Sequence, residues 1–249
     1  MWQKLEESRR PELNDPVLVV SLSTSMQQYR ALYSQARELG KYMLKNMRFD
    51  RFATLYSSSM PPLVIISDEG IIRLSSASFY RHSGKRDVVL LAGDASPVDD
   101  QYEYCETVID YAKKLGIDEI VSIGTRWTEE AASPTATPGV KGFASDEKGV
   151  DELRSLGVEI IRDEPAPFFA SLIVALASRQ GLRGYKLSVD HGEPIPHPRS
   201  VSQILAVLQK MLGFEIETEE LGVLAAKIAA NLEAPGVGDI PPKRSGVYG

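Results

Sequence analysis

Asp190, His191, Glu193 and His197 crowd into the stretch "DHGEPIPH", and carboxylates with imidazoles make good ligands for a divalent metal. The stretch runs on into "PRS" and holds three prolines, so no regular spacing sets those four side chains on one face. It reads as a rigid surface loop ending in a helix cap, and no metal is expected there. Other turns also carry reactive residue types: Ser23-Thr24-Ser25, Gly93-Asp94 in "GDAS", and Gly124-Thr125-Arg126 followed by Trp127 in "GTRW". "GDAS" and "GTRW" could offer backbone N–H groups to an anion. Neither leads into the Gly-Lys-Ser/Thr of a phosphate-binding loop, however, and no Gly-x-Gly-x-x-Gly occurs. Acyl transfer lacks a Gly-x-Ser-x-Gly elbow. Asp94 with Asp99 and Asp100 suits the positive end of a helix dipole better than an acid/base pair. His82, in the basic turn "YRHSGKR", reads as solvated, and Cys105, in the helical pattern "YEYCETVIDYAKKL", reads as packing. The expectation is a non-enzyme without a cofactor, in which Asp94, Arg126, Trp127 and His191 make crevice or loop contacts.

Those turns need elements to hold them. "PVLVVSLS" (16–23) and "DVVLLAGD" (87–94) are compact apolar runs that read as buried strands. Thr24 to Gln27 has capping-box spacing, and Tyr29, Leu32, Tyr33, Ala36, Leu39 and Met43 behind it recur at helical spacing. Asp68-Glu69-Gly70 between two β-rich runs signals a hairpin. A helix is expected over 100–115. Three times the chain then ends a helix in glycine, at Gly116, Gly157 and Gly181, and enters an apolar strand. Pro198 opens a helix with Val201, Ile204, Leu205, Leu208 and Leu212 on one face. Another carries Leu221, Leu224, Ala225, Ile228 and Leu232. Helix-to-strand alternation of this kind implies an α/β sheet with helices on its faces. Candidate sites then gather at the carboxyl ends of the strands. The stretch 124–145 reads as a long loop, and long loops tend to be functional or mobile. Its Trp127 is either a partner anchor or folds back onto the core.

The 249 residues divide into an N-terminal extension (1–15), one α/β domain (16–233) and a tail rich in proline and glycine (234–249). A formal charge of -6 argues against nucleic acid as the main partner, since phosphate binding needs clustered Lys and Arg. No apolar signal core opens the chain and no apolar segment is long enough to span a bilayer, so a cytoplasmic protein without membrane contact is expected.

The order of these pieces resembles the proteasome assembly chaperone family, in its archaeal branch. The resemblance runs from Pro16 to Leu232 through "PVLVVSLS", "DVVLLAGD", "IDEIVSIGTRW", "GVKGFAS" and "APFFASLIVALASRQGLRGYKLSV", ending in a proline loop and two closing helices. It implies a single α/β domain with a central mixed sheet flanked by helices, similar to nucleoside phosphorylases. It also implies homo-oligomers that bind proteasome core subunits without catalysis. Two stretches depart from the family, "STSMQQ" after the first strand and "HGEPIPH" in the proline loop, and both weigh against an ancestral small-molecule pocket. The final Val247-Tyr248-Gly249 is similar to the hydrophobic-tyrosine-any ending with which proteasome activators enter pockets between core α-subunits. The competing reading is a nucleotide-using enzyme, either an ATP-dependent carboxylate-amine ligase or a nucleoside-phosphorylase-like transferase. It needs a nucleotide loop and a positioned acid/base set, and the sequence shows neither.

Overall fold

"VLVVS" is buried at every position, and apolar in the first four, because it is covered on both faces and both edges. It forms strand β2 (Val17–Ser21), paired in parallel with β7 (Val88–Gly93) on one side and β8 (Glu119–Trp127) on the other. The computed structural model describes residues 2–22, 35–127, 139–191 and 198–233. β11 (Arg183–His191) continues the parallel centre beside β8.

Antiparallel strands complete the sheet on both sides. β6 (Ala77–His82), β3 (Asp50–Ser57) and β1 (Gln3–Glu7) extend it beyond β7. β9 (Val140–Ala144) runs antiparallel to β11, with the short β10 (Glu159–Ile160) outside it. The order is β1-β3-β6-β7-β2-β8-β11-β9-β10, nine strands in one mixed sheet. The N-terminal extension thus supplies an edge strand. The long loop expected over 124–145 is shorter than that, because residues 124–127 complete β8 and "VKGFA" pairs with β11.

Alternate residues of the strands face two helix layers. Helices α2 (Gln101–Lys114) and α4 (Phe169–Arg179) cover Leu18, Val20, Phe79, Val89 and Ile120. Helices α1 (Gln35–Asn46), α3 (Glu147–Ser155), α5 (Pro198–Leu212) and α6 (Glu219–Glu233) contribute to the other layer, over Val17, Val19, Leu90, Val121 and Leu187. Gly116, Gly157 and Gly181 all take positive φ, as a helix stop with no Cβ can. Of the apolar face expected for α1, Ala36, Leu39 and Met43 are buried, as is the expected face of α5, and Cys105 is fully buried in α2, where burial pushes its thiol up and away from reactivity. Two expectations fail in detail. Leu224 is exposed on α6, and His82 is partly buried, its Nδ1 3.0 Å from the Arg48 carbonyl. No helix among the described residues is long and apolar enough to cross a membrane.

Candidate functional site

Because β7, β2, β8 and β11 run parallel, their carboxyl ends share one edge, and Gly93-Asp94, Arg126 and Asp190 lie along it. Ser23-Thr24-Ser25, Glu193 and His197 leave from that edge and lie outside the described residues, as does the helical stretch expected before Gln35. Trp127 and His191 are register partners at the ends of β8 and β11.

Asp94 does not act as a free carboxylate. Its Oδ2 and Oδ1 accept a bidentate pair from Arg73 Nη1 and Nη2 at 2.5 and 2.7 Å, and Oδ2 also accepts the Ser76 N–H at 3.1 Å. Together these bonds fix the carboxylate as a clamp. Arg126 is equally engaged, its Nε 3.0 Å from Asp190 Oδ1 and its Nη1 bonded to Glu164. Lys141 Nζ meets the other oxygen of Asp190 at 3.0 Å and Glu159 Oε1 at 3.2 Å. The chain Glu164–Arg126–Asp190–Lys141–Glu159 ties β8, β11, β9 and β10 together across the edge. Asp190, the member of the sequence-derived metal cluster with a described side chain, is therefore held between two cations, and the described residues contain no metal-ligand cluster.

Under this chain sits a group that the sequence reading passed over. Lys186, in mid-β11, is only 5% exposed. No described carboxylate forms an ion pair with it, and its Nζ lies 5.5 Å from the Phe143 ring centroid. Burial lowers its pKa, the charge of Arg126 adds to that, and Glu164 opposes it. "YKLSV" gave one signal, a lysine inside an otherwise apolar strand, and its neighbours Gly184 and Ser188 on the same face are small.

Residues 64–74 form a second feature. β4 (Val64–Ile66) and β5 (Ile72–Leu74) make the hairpin expected around Asp68-Glu69-Gly70, with Ser67 N–H donating to the Ile71 carbonyl. Val64 pairs with Leu74 and Ile66 with Ile72, so all four share one face of the ribbon, and they are 56%, 56%, 65% and 66% exposed. Ile65 and Arg73 take the opposite face, where Arg73 reaches Asp94. The clamp thus anchors an apolar ribbon to the carboxyl end of β7. Replacing Arg73 by alanine is expected to raise proteolytic cleavage between 62 and 75 several-fold. Since the Arg73 side chain is half exposed, the whole domain should lose only about 1–2 kcal/mol. Unchanged cleavage would mean that the clamp does not hold the ribbon.

The chain is thus an α/β protein with a mixed sheet between two helix layers, a cross-linked carboxyl edge and an exposed apolar ribbon. It belongs to the PAC2 family, whose model matches residues 36–234. Its fold matches Pyrococcus furiosus PbaB, an archaeal proteasome activator, with a TM-score of 0.79 at 20% identity over 92% of this chain and 97% of that one. Pyrococcus furiosus PbaA, an archaeal homolog of proteasome-assembly chaperone, matches with a TM-score of 0.70 at 23% identity over 92% and 94%. An uncharacterised protein of Methanocaldococcus jannaschii is 24% identical over 193 residues, covering 74% of this chain and 72% of its own. The resemblance drawn from the order of motifs is met at the level of family and fold.

Proposed function

We propose that this chain is a non-catalytic proteasome-binding protein, an assembly chaperone or activator-like adaptor that works in the cytoplasm. Its tail Val247-Tyr248-Gly249 docks into pockets between α-subunits of the proteasome core. One observation carries the proposal: a PAC2 fold that matches an archaeal proteasome activator along nearly its full length leads into this hydrophobic-tyrosine-any ending. Tyrosine offers a large, rigid contact with a polar tip. A terminal carboxylate is captured by a cation or by backbone donors. A random coil of sixteen residues, the number in 234–249, spans roughly 20–24 Å. The engagement of Asp94 and Asp190 by cations supports a binding role over an acid/base one. A pull-down of proteasome core with the full chain and with a chain lacking 247–249 tests this. Equal capture by both would overturn it, as would ATP hydrolysis or nucleoside phosphorolysis by the purified protein.

Several tails act better than one, because tethering makes later contacts intramolecular and raises avidity by about 10²–10⁴. The apolar ribbon suits a second copy of this chain. Its four aligned aliphatic side chains carry no charge and are self-complementary, as a two-fold contact requires. Covering them removes on the order of 400 Å² of apolar surface per copy at about 25 cal/mol per Å². Two copies therefore approach the roughly 1,000 Å² that a specific interface needs. The double variant Ile66→Lys, Ile72→Lys should run as a monomer in light scattering with an unchanged circular-dichroism spectrum, since both sites are already two-thirds exposed and outside the core. An oligomer of undiminished mass would remove the ribbon from the interface.

A further inference from the structure

We infer that the site at Gly124, where Lys186 crosses β8 beside the first turn of α4, binds a small oxyanion of phosphate or carboxylate type. Lys186 and the free N–H groups of α4 would hold it. The inference is independent of the tail. Three sets of donors converge there. A Cβ built on Gly124 would lie 2.9 Å from Lys186 Cε, 3.6 Å from Lys186 Nζ and 3.4 Å from the Ala170 Cβ. The lysine stem therefore crosses β8 where only glycine leaves room, beside Ala170 in the first turn of α4. α4 has no side-chain cap at Phe168. The N–H groups of Ser171 and Leu172 turn back to the Phe168 carbonyl, both at 3.0 Å, whereas those of Phe169 and Ala170 have no acceptor among the described residues. A helix N-terminus with open N–H groups favours negative charge.

The side chains agree. Ser171 in that first turn and Ser122, the register partner of Lys186 on β8, are both buried, and each Oγ lacks a hydrogen-bond partner among the described residues. Lys186 brings three ammonium donors to the same place with no acceptor among the described residues. Glu164 and Asp190, the carboxylates nearest along the edge, are engaged by Arg126 and Lys141. The Lys186 ammonium and the two open N–H groups can only donate, and the two serine hydroxyls can donate as well. What they lack in common is an acceptor with several lone pairs and negative charge, and a tetrahedral or planar oxyanion supplies that.

The test titrates the full-length protein with sodium phosphate and, separately, sodium acetate, against sodium chloride at matched ionic strength. Binding is read by calorimetry and by melting temperature. Saturable binding of phosphate or acetate is expected, weakened at least 10-fold in Lys186→Met and largely retained in Lys186→Arg. Gly124→Ala, whose methyl would displace the end of the lysine chain, should weaken it comparably and serves if Lys186→Met fails to fold. Response to phosphate alone assigns a phosphate-bearing ligand, and response to acetate alone a carboxylate-bearing one. No response beyond chloride, or equal binding by the wild type and either weakened variant, overturns the inference.

Discussion

Capture of the proteasome α-ring by the full chain is expected to disappear when Tyr248 becomes alanine. It should disappear again when one alanine is added after Gly249. The two changes probe different groups. Tyr248→Ala removes an aromatic anchor, and losing such a hot spot costs about 2 kcal/mol or more, at least 30-fold in affinity at each tail. With several tails bound at once the losses compound. The added residue leaves every side chain in place and, where Gly249 carries the terminal carboxylate, moves that charge by about 3.5 Å. A pocket cation then loses its charge-assisted partner, and a buried charge left unpaired is costly. Oligomer mass and melting temperature should not move, because neither change touches the sheet or its helix layers. Core-particle binding is measured for both variants beside the parent. An extended chain that binds as well as the parent would show that the carboxylate plays no part, and a silent Tyr248→Ala would remove the tail from the mechanism.

Lys186→Met should make the ligand-free protein more stable at neutral pH, by about 1–3 kcal/mol, the opposite of what most core substitutions do. Methionine nearly matches the lysine stem in length and keeps its contacts over Gly124 and Phe143 while removing a charge that burial disfavours. The carboxylates left behind do not offset the gain, since Glu159 and Glu164 are 67% and 41% exposed and Asp190 keeps Arg126 and Lys141. The folded pKa of Lys186 lies below its ordinary 10.5, so between those two values the unfolded chain binds more protons than the folded one. Wild-type stability therefore rises with pH across that window. The advantage of Lys186→Met is full below the folded pKa and fades as pH approaches 10.5. Denaturant unfolding of both proteins at neutral pH and near pH 10 reads this directly. A variant less stable than wild type at neutral pH would show that the ammonium is well paired in solution. Retention of a destabilising lysine fits a residue kept for binding rather than for folding.

Much of this architecture was written in short-range signals. The unbroken apolar run Val17–Val20 required cover on both faces. Gly116, Gly157 and Gly181 marked helix ends, and Asp68-Glu69-Gly70 marked a tight hairpin. The spacing from Val201 to Leu212 set one buried helix face. Each signal depends on residues within a turn or two along the chain, where backbone sterics and hydrophobic period decide the outcome. The family, too, was legible, because the order of such elements survives when individual residues do not.

The roles of particular polar side chains were not legible, because they depend on strands that meet only through the sheet. Asp94 looked like a helix-end acid until Arg73, 21 residues before it, proved to clamp it. Arg126 and Asp190 are 64 residues apart in sequence and register partners in space. Alternation at Val64, Ile66, Ile72 and Leu74 announces an apolar ribbon face but cannot say whether that face meets its own domain. The fold turns it to solvent because Arg73 holds the opposite face to the body. For Lys186 the composition of its strand set burial, and the packing of α4 beside Gly124 decided that its charge would be buried without an ion-pair partner among the described residues. Sequence thus determined which segments must be covered, through local period and backbone preference. Tertiary structure alone decided which charges were brought together and which were left without a partner, because long-range register places them.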